Sequence, residues 1–279
     1  MYRAVSANPN AIPPSGYWRE YLPLSGWQPR VQGAPIGYAG EDNSDLLMNE
    51  SGELAVLFSM TLVNNAGDAL RALSYDGDWN QYQTLTLADL PDRPRGVMDG
   101  TGSLLAVWRQ SEDDDILVAA GCESASGWDV QATFTPDGPL AEPHAVAGDA
   151  AGNALLLWTE TVGGVERLRH VRYRASTQQW AAEFPEPQLF GDVSGAQLAM
   201  APNGVAFAVW TEQFGARRVI RGSQYTDGSG WSSPVTIASD ANLDCFNPRL
   251  AVSSDGTATV AFLRGTGSIG DDVMVSRFE

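Results

Sequence analysis

The chain contains one structural unit used five times, and this repeat limits the folds that are open to it. In each copy a glycine precedes an aromatic residue by six positions, at the end of a short apolar stretch. The five pairs are Gly52 and Phe58, Gly102 and Trp108, Gly152 and Trp158, Gly204 and Trp210, and Gly256 and Phe262. Successive glycines are 50, 50, 52 and 52 residues apart by subtraction of their numbers. A period of this length is typical of solenoids and propellers.

A second set of aromatic residues repeats out of phase with the first. Its members are Trp27, Trp79, Trp128, Trp180 and Trp231, which are 52, 49, 52 and 51 residues apart. We expect both sets to pack inside the fold, because a buried indole stabilises a protein by roughly a few kcal/mol. If the second set were exposed, its members would instead be stacking platforms for sugars.

Each unit has four short strands and turn residues between them. In the second unit we predict strands at Arg95–Asp99, Ser103–Gln110, Ile116–Glu123 and Trp128–Phe134. Four strands in about 50 residues favour a propeller blade over a sandwich or a solenoid. Apolar residues at helical spacing are nearly absent. The predicted fold is all-β, a five-bladed β-propeller with four-stranded antiparallel blades.

The ends of the chain predict how the ring closes. The last unit ends after its third strand, and a spare fourth strand lies near the N-terminus. Joining the two would leave no open sheet edge. We therefore predict one domain, 1–279, closed by its N-terminal strand. Its parts are an extension at 1–24, a closing strand at 25–33, and blades at 44–88, 94–136, 144–188, 196–238 and 248–279 plus 25–33.

Charge and composition exclude several functions. There are 34 acidic and 17 basic residues, giving a net charge of −17, which disfavours nucleic acid and anionic membranes as partners. No apolar run is long enough to insert into a membrane. Cys122 and Cys245 fall in non-adjacent blades, so we predict two free thiols. Two histidines and no phosphate-binding loop indicate neither a metal site nor a cofactor.

The repeat has a family resemblance. Gly204 to Trp210, followed by Gly230 to Pro234, resembles repeats of uncharacterised bacterial β-propeller proteins, many of them exported. The resemblance implies the fold and an extracellular or periplasmic location, but no activity. The repeat is also distantly similar to the sialidase Asp-box, Ser-x-Asp-x-Gly-x-x-Trp. Here Asp227 is one residue too close to Trp231, so no sialidase chemistry is carried over.

Candidate ligand-binding residues come from two positions that vary while the framework repeats. Aligning the units places them at the mouth of the central channel. At the start of the first strand lie Asp45, Arg95, Ala145, Gln197 and Arg249, with His144 one residue before Ala145. Two residues after the aromatic of the second strand lie Met60, Gln110, Glu160, Glu212 and Arg264.

These residues allow three interpretations. The leading hypothesis is a non-enzymatic binding module, a monomer, whose ligand is a glycan or another protein. The alternative is a glycoside hydrolase with Glu160 and Glu212 as its carboxylate pair, which requires the two to lie about 5 to 9 Å apart across a bound sugar. In the third, the opposite charges pair with one another and bind water. The sequence alone leaves these open.

Overall fold

The computed structural model describes most of the chain from residue 44 onwards and short segments before it. The described residues are 15–18, 21–22, 26–27, 31–35, 44–49, 51–61, 68–75, 83–87, 91–111, 115–123, 127–140, 144–182, 192–267 and 270–278. Their secondary structure is all strand and turn, with no helix among them. No helix able to span a membrane occurs in this part of the chain.

The described residues form twenty-four strands, numbered here in chain order. Four short ones come first: β1 (Ser15–Trp18), β2 (Tyr21–Leu22), β3 (Gly26–Trp27) and β4 (Val31–Pro35). The first large sheet contains β5 (Ser44–Met48), β6 (Leu54–Thr61), β7 (Asp68–Tyr75) and β8 (Gln83–Thr86). The second contains β9 (Pro91–Met98), β10 (Leu104–Ser111), β11 (Asp115–Glu123) and β12 (Gly127–Phe134).

Three more sheets complete the series. The third contains β13 (Ala145–Gly148), β14 (Ala154–Val162), β15 (Val165–Arg174) and β16 (Gln179–Ala181). The fourth contains β17 (Val193–Met200), β18 (Ala206–Phe214), β19 (Arg217–Thr226), β20 (Gly230–Trp231) and β21 (Val235–Ala238). The fifth contains β22 (Asp244–Val252), β23 (Ala258–Gly265) and β24 (Asp272–Phe278).

Within each sheet, strands pair antiparallel in chain order. The first strands of successive sheets lie beside one another, β5 against β9, β9 against β13, β13 against β17 and β17 against β22. This is the blade arrangement of a β-propeller. The predicted all-β fold with four-stranded antiparallel sheets is confirmed. In the fourth sheet, β20 and β21 share the fourth position, since both pair with β19.

The turn between first and second strand follows from the repeated glycine. In the fifth sheet Gly256 has φ +87° and donates its N–H to the carbonyl of Ser253, while Ser253 donates to the carbonyl of Thr257. Only glycine adopts this left-handed conformation without steric cost. In the second sheet the carboxylate of Asp99 accepts the backbone N–H groups of Thr101 and Ser103 as well.

The apolar core lies between consecutive sheets. Trp108 packs with Leu70 of the first sheet, Trp158 with Leu117 of the second, and Trp210 with Leu157 of the third. All are buried. Side chains two residues apart on a strand point to the same face of the sheet. Every other side chain of each second strand therefore faces the preceding sheet. The prediction that the first aromatic set packs between neighbouring blades is confirmed for these tryptophans.

The N-terminal strands have the register of a third and fourth strand. Tyr21 pairs with Trp27 and Trp18 with Val31, while in the fourth sheet Tyr225 pairs with Trp231 and Gly222 with Val235. All four residues of the first pairings lie 204 positions before their counterparts. Residues 26–27 and 31–35 thus pair as a fourth strand does. Their partners in the described residues are 21–22 and 15–18, whereas the sheet that contains β24 has three described strands.

Candidate functional site

A polar cavity of about 670 Å³ opens where the first strands of all five sheets converge. Each first strand contributes residues to its wall. The first-strand residues predicted from the repeat all line it, namely Asp45, Arg95, Ala145, Gln197 and Arg249. We call this space the channel cavity. Sequence alignment of the repeats therefore identified a set of residues that the fold brings together.

A repeated irregularity of the first strand positions three of these side chains. The pairing of first and second strands shifts register just before Arg95, Gln197 and Arg249. Two residues before each of them, at Arg93, Gly195 and Asn247, φ lies between +51° and +62°. Such β-bulges bend a strand and redirect a side chain. The bulge also brings Ser194 and Asn247 to the cavity wall, which the repeat alignment did not indicate.

Among the described residues of the wall, the cationic groups are two arginines. Arg95 and Arg249 each donate one hydrogen bond, from Nη1 to the carbonyl of the preceding proline, at 2.8 and 2.9 Å. No ion pair joins either guanidinium to a carboxylate of the described residues. A guanidinium has five donors in a planar fork, so most of each fork is available to a bound anion.

Asp45 and His144 hold the wall of the cavity together through hydrogen bonds to the second sheet. The carboxylate of Asp45 accepts the N–H of Gly96 at 3.0 Å and so links the first and second sheets. His144 is 3% exposed, and its Nε2 lies 3.1 Å from the carbonyl oxygen of Val107. Burial, with a smaller contribution from the nearby charge of Arg95, lowers the pKa of His144 to about 4. The imidazole is therefore neutral at pH 7 and donates to Val107.

The predicted second-strand residues do not line the channel cavity. Glu160 and Glu212 are 1% and 0% exposed. Oε2 of Glu160 accepts the indole N–H of Trp158 at 3.3 Å, and Oε2 of Glu212 accepts that of Trp210 at 2.8 Å. Each glutamate shares a strand face with a tryptophan two residues earlier, so it points between sheets rather than into the channel. The expectation that they sit at the channel mouth is wrong.

Arginines complete the environment of these carboxylates. Arg169 Nε donates to Glu160 Oε1 at 2.7 Å, and Arg221 Nε lies 3.9 Å from Glu212 Oε2. A buried carboxylate that is bonded in this way is not accessible to a sugar. The geometry does not supply the exposed carboxylate pair that the hydrolase alternative requires.

The two other second-strand residues also lie elsewhere. Arg264 forms ion pairs with Asp272 at 2.7 Å and Asp240 at 3.9 Å. Gln110 is half-buried and is not part of the cavity wall. Arg264 therefore matches the interpretation in which opposite charges pair with one another, whereas the arginines of the first strands do not.

The second set of tryptophans is packed in the described part of the chain. Trp128, Trp180 and Trp231 lie against apolar clusters that join consecutive sheets. Trp180 lies 5.2 Å from the ring of Tyr173, and Trp231 lies 5.3 Å from that of Tyr225. These three are not open stacking platforms. The side chains of Trp27 and Trp79 lie outside the described residues.

Metal ligands are not grouped in the described residues, which contain no cluster of three His, Cys, Asp or Glu side chains suited to an ion. Cys122 and Cys245 are both free and buried, as predicted. Burial raises the pKa of both thiols, so each is protonated at neutral pH. Reactive thiol chemistry is thereby disfavoured.

The chain shares its fold with solved structures but matches no curated protein by sequence. Neither a protein-family model nor a curated protein sequence matches the chain. Among solved structures, it is similar to an ulvan lyase of a new polysaccharide lyase family, bound to the saccharide GlcA(1-4)Rha3S, with a TM-score of 0.56 and 10% identity over 94% of this chain and 79% of the lyase.

Two further structures are similar at the same level. The protein AofleA of Arthrobotrys oligospora has a TM-score of 0.55 and 14% identity, over 95% of this chain and 76% of its own. A protein of unknown function from Dyadobacter fermentans has a TM-score of 0.54 and 9% identity, over 88% and 85%. At these identities the likeness establishes a shared fold, while the bacterial, exported and Asp-box resemblances stay predictions.

Proposed function

We propose that the chain is a non-enzymatic, glycan-binding β-propeller that holds an acidic saccharide in the channel cavity. The observation that carries the proposal is the pair Arg95 and Arg249 on the wall of a single cavity, each with most of its donors unused. A cavity of this volume suits one or two sugar residues, since small-molecule sites typically span roughly 300 to 1,000 Å³.

The charge of the ligand follows from these donors. Guanidinium groups bind carboxylates and sulfates through paired, charge-assisted hydrogen bonds. Gln197 adds an amide, whose acceptor and donor groups suit sugar hydroxyls. The ulvan lyase of the same fold is bound to a saccharide containing GlcA, which carries a carboxylate. A uronic acid is thus the ligand class that the wall and this likeness favour together.

Binding without hydrolysis is favoured by the positions of the carboxylates. Glu160 and Glu212 are buried between sheets, and Asp45 is engaged by the backbone of Gly96. No second acid of the described residues lines the channel cavity. Hydrolysis by the usual pair of carboxylates has no second partner at this site.

The test is a titration of the purified protein with glucuronate oligosaccharides, monitored by calorimetry, for the native chain and for Arg95→Gln with Arg249→Gln. We expect the double variant to bind at least about tenfold more weakly, because each lost charge-assisted contact contributes roughly 1.5 to 3 kcal/mol. Neutral oligosaccharides of the same length should bind the native chain more weakly than the acidic ones.

The matched control is Arg217→Gln, which removes a positive charge outside the channel cavity and should leave the affinity unchanged. Equal weakening by the control would show that net charge, and not the cavity, governs binding. Release of reducing ends by the native chain would replace the binding proposal with an enzymatic one. Absence of binding to any glycan would favour a protein ligand.

The ring of the proposed propeller has five blades and is closed at β24. Five sheets contribute first strands to one cavity, which supports the count. The outer edge of β24 has no strand partner in the described residues, and Val273 and Val275 are 72% and 64% exposed. We propose that β4, already paired with β1, adds its other edge to β24. A closed ring has no free edge, and we expect it to act as a monomer.

A further inference from the structure

A second cavity, of about 390 Å³, lies between the second and third sheets at the other end of the first strands. We call it the interblade cavity. The residues of its wall include Asp99, Asp129, Asp149, Gln131 and Tyr173. No basic residue belongs to its described wall. The proposal for the channel cavity does not involve any of these side chains.

The corresponding place between the third and fourth sheets is filled by an arginine. Arg172 is 2% exposed, and the centre of its guanidinium lies 5.5 Å from the ring centroid of Tyr225. Its Nη2 lies 3.4 Å from Oδ2 of Asp227. The fold itself thus seats a guanidinium group against a tyrosine ring and a carboxylate, between two sheets.

The strand pairing shows that the two places are equivalent. Tyr173 pairs with Ala154 and Tyr225 with Ala206, each two residues after the glycine of the turn. Both tyrosines lie against the tryptophan of the following strand. Tyr173 and Tyr225 therefore occupy equivalent positions in the third and fourth sheets.

The interblade cavity is open because the two filling side chains are missing there. Gly121 pairs with Leu105 as Arg172 pairs with Leu155, so glycine stands in the place of arginine. Two residues after Tyr173 comes Ala175, where the fourth sheet has Asp227. The cavity lies beside Tyr173, and the amide of Gln131 lies next to Gly121 at its wall.

We propose that the interblade cavity binds a guanidinium group carried by a ligand. The described wall has no basic side chain, so Asp99 and Asp129 give it a negative potential. The carboxylate of Asp149 is bonded within its own turn, to the N–H groups of Ala151 and Asn153. The ring of Tyr173 offers a cation–π contact like that between Tyr225 and Arg172. Gln131 Nε2 donates to the Tyr173 hydroxyl, and its Oε1 is a buried acceptor without a partner in the described residues.

The test is a titration of the full chain with methylguanidinium, and with urea as a neutral probe of the same planar shape, in 150 mM salt. Calorimetry and ligand-observed NMR would measure binding of each. We expect methylguanidinium to bind and urea to bind at least about tenfold more weakly, because only the former has the charge that the carboxylates and the ring attract. Equal affinities, or no binding of methylguanidinium, would overturn the proposal.

Two variants locate the binding. Asp129→Asn changes an exposed residue of the wall and should weaken binding about threefold, the effect of one partly solvated ion pair. Gly121→Arg with Ala175→Asp rebuilds the filling seen at Arg172 and Asp227 and should abolish binding. The new side chain at 121 requires the end of Gln131 to move, since a Cβ there would meet its Nε2.

The matched control is Asp192→Asn, which removes one exposed charge outside the cavity wall and should leave binding unchanged. If this control weakens binding as much as Asp129→Asn does, the cations bind the acidic surface at large and the proposal fails. Argininamide and a Gly-Arg-Gly peptide distinguish the sources of the group. Tighter binding of the peptide points to the side chain of a partner protein, and equal binding points to a small molecule.

Discussion

Glu160 and Glu212 are buried carboxylates, and each is compensated by a tryptophan on its own strand and an arginine on the paired strand. Each follows a tryptophan by two residues, and an arginine stands directly opposite that tryptophan, Arg169 for Trp158 and Arg221 for Trp210. In the second sheet Val118 stands opposite Trp108, and the residue two positions later is the neutral Gln110. A carboxylate therefore occurs at this position in the two sheets where an indole N–H and a guanidinium both contact it, as burial of a carboxylate requires.

This arrangement predicts the effect of Glu212→Gln. The substitution keeps an acceptor for Trp210 but leaves the charge of Arg221, a buried residue, less compensated. We expect the free energy of unfolding to fall by about 2 to 3 kcal/mol, with glucuronate binding unchanged. Urea unfolding and calorimetry measure the two quantities. If the variant were as stable as the native chain but lost a glycan-cleaving activity of the native chain, Glu212 would instead have a catalytic role.

Elements rather than single residues decide which side chains reach the channel cavity. The repeat alignment placed Arg95, Gln197 and Arg249 correctly because it counts residues from a shared turn. The same alignment failed for the second strand, since counting does not reveal which face of a strand points to the channel. Bulges at Arg93 and Asn247, neither a glycine, carry no composition signal. Ser194 and Asn247 reach the wall through the register shifts of their strands, which depend on strand pairing.

The turns between first and second strands are the elements that the sequence predicts most directly. The strain that a non-glycine residue would cause in such a turn can be measured. Gly256→Ala places a Cβ on a residue with φ +87°, with no atom within 4 Å of it. Strain alone should lower the free energy of unfolding by about 1 kcal/mol. Gly100→Ala is the matched control, because Gly100 has equally open surroundings and no left-handed φ.

That control should be neutral or slightly stabilising, since alanine restricts the unfolded chain more than glycine does. The midpoints of urea unfolding for the two variants measure the difference. Equal effects at the two positions would mean that the backbone conformation of Gly256 does not determine the turn.

At the scale of the whole molecule, the sequence predicts five repeats and closure of the ring by the N-terminal strand, and the closure stays a prediction. A repeat is visible because each copy uses the same glycine and aromatic residue to pack on the copy before it. The third strand has no such marker, so residues 15–22 were assigned to an extension although they pair as a third strand does. Closure depends on a contact between the two ends of the chain, and no local pattern encodes it.

The proposed closure predicts a coupling between the ends of the chain. If β4 adds to β24, Val31→Pro should expose the outward amides of residues 272–278, because proline removes a ladder donor and fits poorly inside a sheet. We expect faster hydrogen exchange at those amides and a lower melting temperature. Pro234, which directly precedes β21, shows that proline is accepted just before such a strand, so Arg30→Pro is the matched control. If Val31→Pro leaves exchange at 272–278 as it is in the native chain, β4 is not the strand that covers β24, and the edge has another partner.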